Sequence, residues 1–107
     1  MNQHFRIETI DGVVVATWTE PKVMPEAKDP LYDLAGNERL LLDLGSVRFL
    51  SSNGLAILVA FQKKVAASGG RLRLCGLAPE LLDLLRITKV DRRFDVFEGR
   101  PEALRGF

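Results

Sequence analysis

The chain of 107 residues, 47% of them hydrophobic, is long enough for one domain with its own core. Its 15 Lys and Arg residues nearly balance its 14 Asp and Glu residues, giving a formal net charge of +1. This balance argues against a dedicated binder of nucleic acid or of anionic membranes, which carries a basic excess. The single cysteine, Cys75, excludes an intrachain disulfide and suits a reducing compartment.

We expect no signal peptide, because no basic segment precedes an apolar stretch in the N-terminal residues. The longest unbroken apolar run, residues 55–61, is far shorter than the roughly 18 residues that span a bilayer. We therefore expect a cytoplasmic protein that is not inserted in a membrane.

The chain opens with a predicted β-hairpin. Residues 4–10 alternate, with Phe5, Ile7 and Thr9 on one side, and residues 13–18 form a second β-rich run. The pair Asp11-Gly12 between them suits a two-residue hairpin turn. The two strands are therefore predicted to be antiparallel neighbours.

The segment 19–39 contains three prolines within ten residues, which exclude a long regular helix. Two interpretations remain open for it. Residues 30–35 form a short helix that Gly36-Asn37 ends, or the segment is a loop packed only through Leu31, Tyr32 and Leu34.

The middle of the chain predicts a buried strand over residues 40–44 and a helix over residues 53–68. Ser51, Ser52 and Asn53, just before this helix, are all preferred N-cap types. The apolar residues of the helix recur at the spacing of one helical face, widened by Ile57 and Phe61. The predicted face is Leu55, Leu58, Val59, Gln62 and Val65.

The last third predicts a strand over 71–76, a helix over 79–87, a strand over 94–98 and a short helix from residue 100. The buried stripe of the helix is predicted as Leu81, Leu84, Leu85 and Thr88. Strands separated by helices pair in parallel through right-handed crossovers. The predicted fold is therefore α/β: a small mixed sheet with an antiparallel N-terminal hairpin at its edge and helices packed mainly on one face.

The sequence offers no convergent acid, base and nucleophile, and we predict that the protein is not an enzyme. The only histidine, His4, lies near the terminus, and Cys75 is expected to be a small buried hydrophobe. No glycine-rich phosphate loop or His/Cys cluster is present, so no cofactor and no metal are expected. Asp43, at the end of a strand, either contacts a ligand or caps the following turn.

The cluster Ser51-Ser52-Asn53-Gly54 has two interpretations from its residues alone, helix capping or a regulatory site. Capping alone accounts for its composition. The partial positive charge of a helix N-terminus also favours an anion there, which would suit a regulatory site. Lys63 and Lys64, predicted on the exposed side of the same helix, form either a solvated face or a surface for an acidic partner.

The order of elements, with the motif Phe49-Leu50-Ser51-Ser52-Asn53-Gly54-Leu55 and the later Leu74-Cys75-Gly76-Leu77-Ala78-Pro79, resembles the STAS domain. This fold is shared by bacterial anti-sigma factor antagonists and the cytoplasmic tails of sulfate transporters. The resemblance covers nearly the whole chain and implies a single STAS-like domain over residues 1–107. In antagonists the loop typically reads Asp-Ser-Ser/Thr-Gly-Leu, and its first serine is phosphorylated by the cognate anti-sigma factor, a serine kinase.

Aligning the motif on Gly54-Leu55 places the phosphorylated serine at Ser52, with Ser51 as the alternative. This chain departs from the pattern twice, because Ser51 replaces the aspartate and Asn53 replaces the second serine or threonine. The resemblance implies a partner-switching regulator that binds a serine kinase of the GHKL type, with a serine phosphatase as a further partner. The implied partner surface is Ser51, Ser52, Asn53, Gly54, Lys63 and Lys64.

The alternative implied by the same resemblance is a STAS scaffold or accessory subunit that is not phosphorylated, for example in a transporter or a signalling complex. The retained Ser52 favours the switch, whereas Ser51 and Asn53 favour the scaffold. The oligomeric state and the binding of a small ligand are left open.

Overall fold

The computed structural model describes residues 2–107 as one five-stranded sheet with four α-helices and short 3-10 turns. The strands are β1 (Phe5–Ile10), β2 (Val13–Trp18), β3 (Arg39–Asp43), β4 (Arg71–Cys75) and β5 (Asp95–Phe97). The helices are α1 (Lys28–Tyr32), α2 (Ser52–Ala67), α3 (Pro79–Ile87) and α4 (Arg100–Leu104). The 3-10 turns are Pro25–Ala27, Asp33–Gly36 and Asp91–Arg93.

The strands lie in the sheet in chain order, β1-β2-β3-β4-β5. The pair β1–β2 is antiparallel, and every later pair is parallel. At the hairpin turn, Asp11 and Gly12 have φ angles of 51° and 79°, the left-handed conformations that a tight two-residue turn requires. The predicted mixed α/β sheet with its antiparallel edge is confirmed.

The two faces of the sheet carry separate hydrophobic cores. The larger core, under α1, α2 and α3, includes Trp18, Leu42, Phe61, Leu74 and Leu85. The smaller core lies on the other face, where Ala103 of α4 meets Val13, Val15, Leu41 and Cys75. The helices thus cover mainly one face, as predicted, and α4 alone covers the second.

The proline-rich segment 19–39 contains a helical stretch, and this stretch begins at Pro25, five residues before the predicted short helix. The turn Pro25–Ala27, helix α1 and the turn Asp33–Gly36 follow one another without a break and bury Leu31. The prolines do not prevent this because Pro25 starts a turn and Pro30 lies in the first turn of α1, where helical amide hydrogens have no partner within the helix.

The buried face of α2 is rotated from the predicted one. Leu58 and Val65 are buried as expected, but Leu55 and Val59 are only half-buried. The buried residues are Gly54, Ile57, Leu58, Phe61 and Val65. Residues 55–61 are all apolar, so their spacing alone does not locate the centre of the face.

Two further burial predictions, both in α3, were wrong. Leu84 is half-buried and Thr88 is exposed, because Thr88 is the C-cap and its hydroxyl donates to the Leu84 carbonyl at 2.6 Å. In β1, Phe5 is buried in the larger core, where its ring stacks on Trp18 at 5.1 Å. Ile7 and Thr9 are exposed because β1 is the outermost strand.

Across residues 2–107, the structure contains no helix that is both long and apolar enough to cross a membrane.

Candidate functional site

The serine cluster forms the N-terminus of α2, and its three polar residues have different roles. Ser51 is the N-cap, with an extended backbone, and its hydroxyl oxygen accepts a hydrogen bond from the Gly54 amide at 3.0 Å. Ser52 is the first residue of the helix, one position earlier than predicted, and Asn53 follows it. Capping satisfies an amide hydrogen that would otherwise lack a partner.

The two serines of the cluster differ in their hydrogen bonds. Ser51, Ser52 and Asn53 are all exposed, and the side-chain hydrogen bonds found within residues 2–107 include none to or from Ser52. Since the Ser51 oxygen is already engaged as the cap, the two neighbouring serines are not equivalent.

Gly54 lies below the surface, between the loop and the core. A Cβ atom built on it would lie 3.1 Å from the Val23 carbonyl oxygen and 3.2 Å from Leu50 Cδ1. A side chain at this position would therefore push the β2–α1 loop away from the start of α2. Gly54 shapes the site and exposes little surface to a partner.

The loop before the site is fixed to the segment that follows β2. The amides of Arg48 and Phe49 both donate to the Pro21 carbonyl, at 2.8 and 3.1 Å, and a single parallel bridge joins Lys22 to Phe49. The indole of the buried Trp18 donates to the Lys22 carbonyl at 2.9 Å. The start of α2 is therefore held on a rigid base.

The structure separates the two predicted lysines. Lys63 lies with Ser52 in a shallow groove of about 380 Å³ along α2. Lys64 is directed to the other side, with its Nζ 5.1 Å from the centre of the Tyr32 ring. The remaining residues of the groove are Leu55, Ala56, Val59, Ala60 and Val90.

Asp43 caps the turn after β3, which confirms one of its two predicted roles: its Oδ1 accepts from the Gly45 amide at 3.0 Å. Its Oδ2 accepts from Arg100 Nε at 2.8 Å, and Arg100 also donates to Glu8 at 2.9 Å and to the Thr17 hydroxyl. These hydrogen bonds to Asp43 and Glu8 raise the pKa of Arg100. No local sequence pattern predicts these contacts of Arg100, because its partners lie far from it in the chain.

The other titratable candidates are structural. Cys75 is buried, as predicted, and burial together with the nearby charge of Asp43 raises the pKa of its thiol to about 12. His4 Nδ1 pairs with Glu20. Within residues 2–107, no three His, Cys, Asp or Glu side chains gather as metal ligands.

The sequence model of the STAS domain matches residues 5–103. A candidate anti-sigma factor antagonist of Bordetella bronchiseptica, BtrV, is 28% identical over 106 residues, covering 94% of this chain and 91% of BtrV.

Solved structures of two proteins share the fold over nearly their whole length. An anti-sigma-factor antagonist (STAS) domain protein from Planctomyces limnophilus superposes with a TM-score of 0.82 at 21% identity, covering 94% of each chain. The anti-sigma factor antagonist SpoIIAA superposes in its unphosphorylated form with a TM-score of 0.70 at 14% identity, covering 96% of this chain and 99% of SpoIIAA. The phosphorylated form of Bacillus SpoIIAA gives 0.69 at 14%, with coverage of 92% and 93%. The family match, over almost all of the sequence and with the same fold in these structures, shows that this chain belongs to the STAS domain family.

Proposed function

We propose that the protein is an anti-sigma factor antagonist that works by partner switching, with Ser52 as its phosphorylation site. The observation that carries the proposal is the difference between the two serines. Both are exposed, but the Ser51 oxygen accepts the capping hydrogen bond from the Gly54 amide, whereas Ser52, at the first position of α2, makes no side-chain hydrogen bond found within residues 2–107. The similarity to BtrV supports the same class of function.

A phosphate on Ser52 fits the folded domain. The N-terminus of a helix carries partial positive charge and stabilises a nearby anion by roughly 0.3–1 kcal/mol. Because Ser52 is exposed, the phosphate can project into water without displacing the core. The modification therefore changes the surface rather than the fold.

The surface change is large enough to act as a switch. A phosphoserine adds roughly −1.5 to −2 charges, and burying it against a partner without a matching cation costs several kcal/mol. Inverting a bound-to-free ratio from 99:1 to 1:99 requires about 5.5 kcal/mol. One phosphate is of the right size for this inversion.

The proposed partner is an anti-sigma factor with serine kinase activity of the GHKL type, and a serine phosphatase would restore the unmodified form. On this chain, the docking surface for that partner would contain Ser51, Ser52 and Asn53, and would continue along the groove of α2 to Lys63. Gly54 would position the loop from below, and Lys64, which is turned toward Tyr32, would lie at the margin. In this role the chain binds and accepts phosphate and catalyses nothing.

The test is to incubate the purified protein with the GHKL-type serine kinases of its own organism and ATP, and to map phosphate by mass spectrometry. Wild-type protein should be modified on Ser52 alone. Ser52→Ala should bind the kinase without being modified, and Ser52→Asp should bind weakly. Ser51→Ala is the matched control: it should lose about 0.5–2 kcal/mol of stability as a cap and still be phosphorylated.

Two outcomes would contradict this assignment. Phosphate on Ser51 would mean that the acceptor is the neighbouring residue. Partner binding without phosphate anywhere would place the protein with STAS scaffolds or accessory subunits, the alternative that the departures at Ser51 and Asn53 favour.

A further inference from the structure

A second surface adjoins the proposed phosphorylation site on the side opposite the α2 groove. It is a cleft of about 520 Å³ between the loop after β2 and the loop before α2. Its residues are Lys22, Val23, Met24, Pro25, Phe49, Leu50, Ser51 and Asn53. Ser51 and Asn53 line this cleft and Ser52 lines the groove, so the two surfaces meet at the N-terminus of α2.

The cleft exposes apolar side chains that the core does not use. Phe49 is 63% exposed and Met24 is 37% exposed, and they are two of the four large hydrophobic residues that are exposed within residues 2–107. Exposed apolar surface that gathers around a concave site, rather than being scattered singly, is typical of a binding surface. The two side chains are available to enclose an apolar group.

The walls of the cleft are formed before any ligand arrives. The Lys22–Phe49 bridge and the two hydrogen bonds to the Pro21 carbonyl join one wall to the other. Val23 packs beneath Gly54. A site that is already ordered loses less conformational entropy on binding.

The one charged residue that lines the cleft is a cation, Lys22. Lys22 is exposed, and the ion pairs formed within residues 2–107 do not include it. A cation beside an apolar cleft favours a segment that carries carboxylates next to its apolar residue, because opposite charges steer and orient the encounter.

We propose that this cleft, defined by Lys22, Met24 and Phe49, receives an apolar side chain of the partner protein that is flanked by acidic residues. The inference rests on the proposed function, since it assigns the second half of the same docking surface. A partner that fills both the cleft and the groove covers Ser52. A phosphate on Ser52 would then face the partner's carboxylates, and like charges at close range oppose binding.

The test that needs no identified partner is an NMR titration of the labelled protein with three capped tripeptides. Acetyl-Glu-Leu-Glu-amide should shift the backbone amides of Met24, Phe49 and Asn53. Acetyl-Glu-Ala-Glu-amide should bind about 10-fold more weakly, since it lacks the larger apolar side chain. Acetyl-Lys-Leu-Lys-amide should bind at least about threefold more weakly than the Glu-Leu-Glu peptide, because its positive charges repel Lys22.

Variants assign the effect to the cleft. Phe49→Ala should weaken the Glu-Leu-Glu peptide about 10-fold, and its exposed position leaves the core intact. Ile87→Ala is the matched control, because Ile87 is 77% exposed and does not line the cleft; it should bind like wild type. Lys22→Glu should reverse the preference and favour the Lys-Leu-Lys peptide.

Equal affinity for the three peptides, shifts confined to other surfaces, or equal losses in Phe49→Ala and Ile87→Ala would overturn the inference. The phosphorylation assay described above identifies the anti-sigma factor that modifies the protein. Phe49→Ala should weaken the complex with that anti-sigma factor by about 30-fold or more, as expected of a central aromatic anchor. Normal binding by this variant would sink the cleft assignment and leave Ser52 as the switch. Failure of wild type to be phosphorylated or bound would sink the proposed function, and the peptide titration would still decide what the cleft binds.

Discussion

Arg73 should hold the C-terminal end of the chain on the second face of the sheet. Its guanidinium donates to the carbonyl oxygens of Ala103, Arg105 and Gly106, at 2.9, 2.6 and 3.1 Å. The same group lies 4.9 Å from the centre of the Phe97 ring and 4.3 Å from that of Phe107. One side chain on β4 thus connects three carbonyls and two rings.

The expected cost of Arg73→Ala follows from these contacts. Only the hydrogen bond to Ala103 is partly buried, so the three bonds together contribute about 1.5 kcal/mol after the exposed ones are discounted for water. Each cation–π contact at an exposed site adds about 0.5–1 kcal/mol. We expect Arg73→Ala to lower the free energy of unfolding by about 2–3 kcal/mol, because these terms share one side chain and do not add fully.

Urea unfolding followed by the fluorescence of the single, buried Trp18 measures this cost. The matched control is Arg71→Ala, on the same strand two residues away and exposed; it should change the free energy of unfolding by less than about 0.5 kcal/mol. Arg73→Lys should lower the free energy of unfolding by about half as much as Arg73→Ala, because an ammonium group keeps the charge but cannot reproduce the planar fork of the guanidinium. Equal costs for Arg73→Ala and Arg71→Ala would refute the reasoning.

Four further results are expected. Leu58→Ala should cost about 2–5 kcal/mol in urea unfolding, because Leu58 is 2% exposed; a cost below half a kilocalorie would mean that this face of α2 is not buried. Cys75 should react with iodoacetamide at pH 8 at least about 100-fold more slowly in folded than in unfolded protein. Since the pKa of Cys75 rises from 9.0 to about 12 on folding, the unfolded chain ionises first, and stability should fall as the pH rises across that range; a flat profile would contradict this. Ser52→Asp should leave the melting temperature unchanged or slightly higher, because an acid at the first position of a helix is favourable.

Most of the fold could be predicted because its signals are local. The pair Asp11-Gly12 specifies a hairpin turn, and the strand lengths follow from short apolar runs between turn residues. What could not be predicted is the centre of the buried face of α2. Residues 55–61 are apolar on every side, and the structure shows that the buried side includes Ile57 and Phe61 rather than Leu55 and Val59.

The start of α2 was predictable to within one residue, and the surface around it was not. Polar N-cap types before an apolar run locate the start of α2, but three adjacent candidates do not reveal which one caps. The cleft depends on Phe49 meeting the segment after β2, and the Arg100 pairs join residues up to 92 positions apart. Contacts at such separations leave no periodic mark on the sequence.

The chain-order arrangement of the strands has a consequence for how the protein is made. Each new strand pairs with the one synthesised just before it, so the sheet can extend from the N-terminal hairpin while the chain is still leaving the ribosome. Each strand of the described sheet therefore pairs with a strand that is near it in the chain, which keeps the entropy cost of loop closure low. The exception is α4, whose Arg100 must find Asp43 and Glu8, 57 and 92 residues earlier. The synthesis of α4 should therefore seal the second face of a sheet that is already assembled.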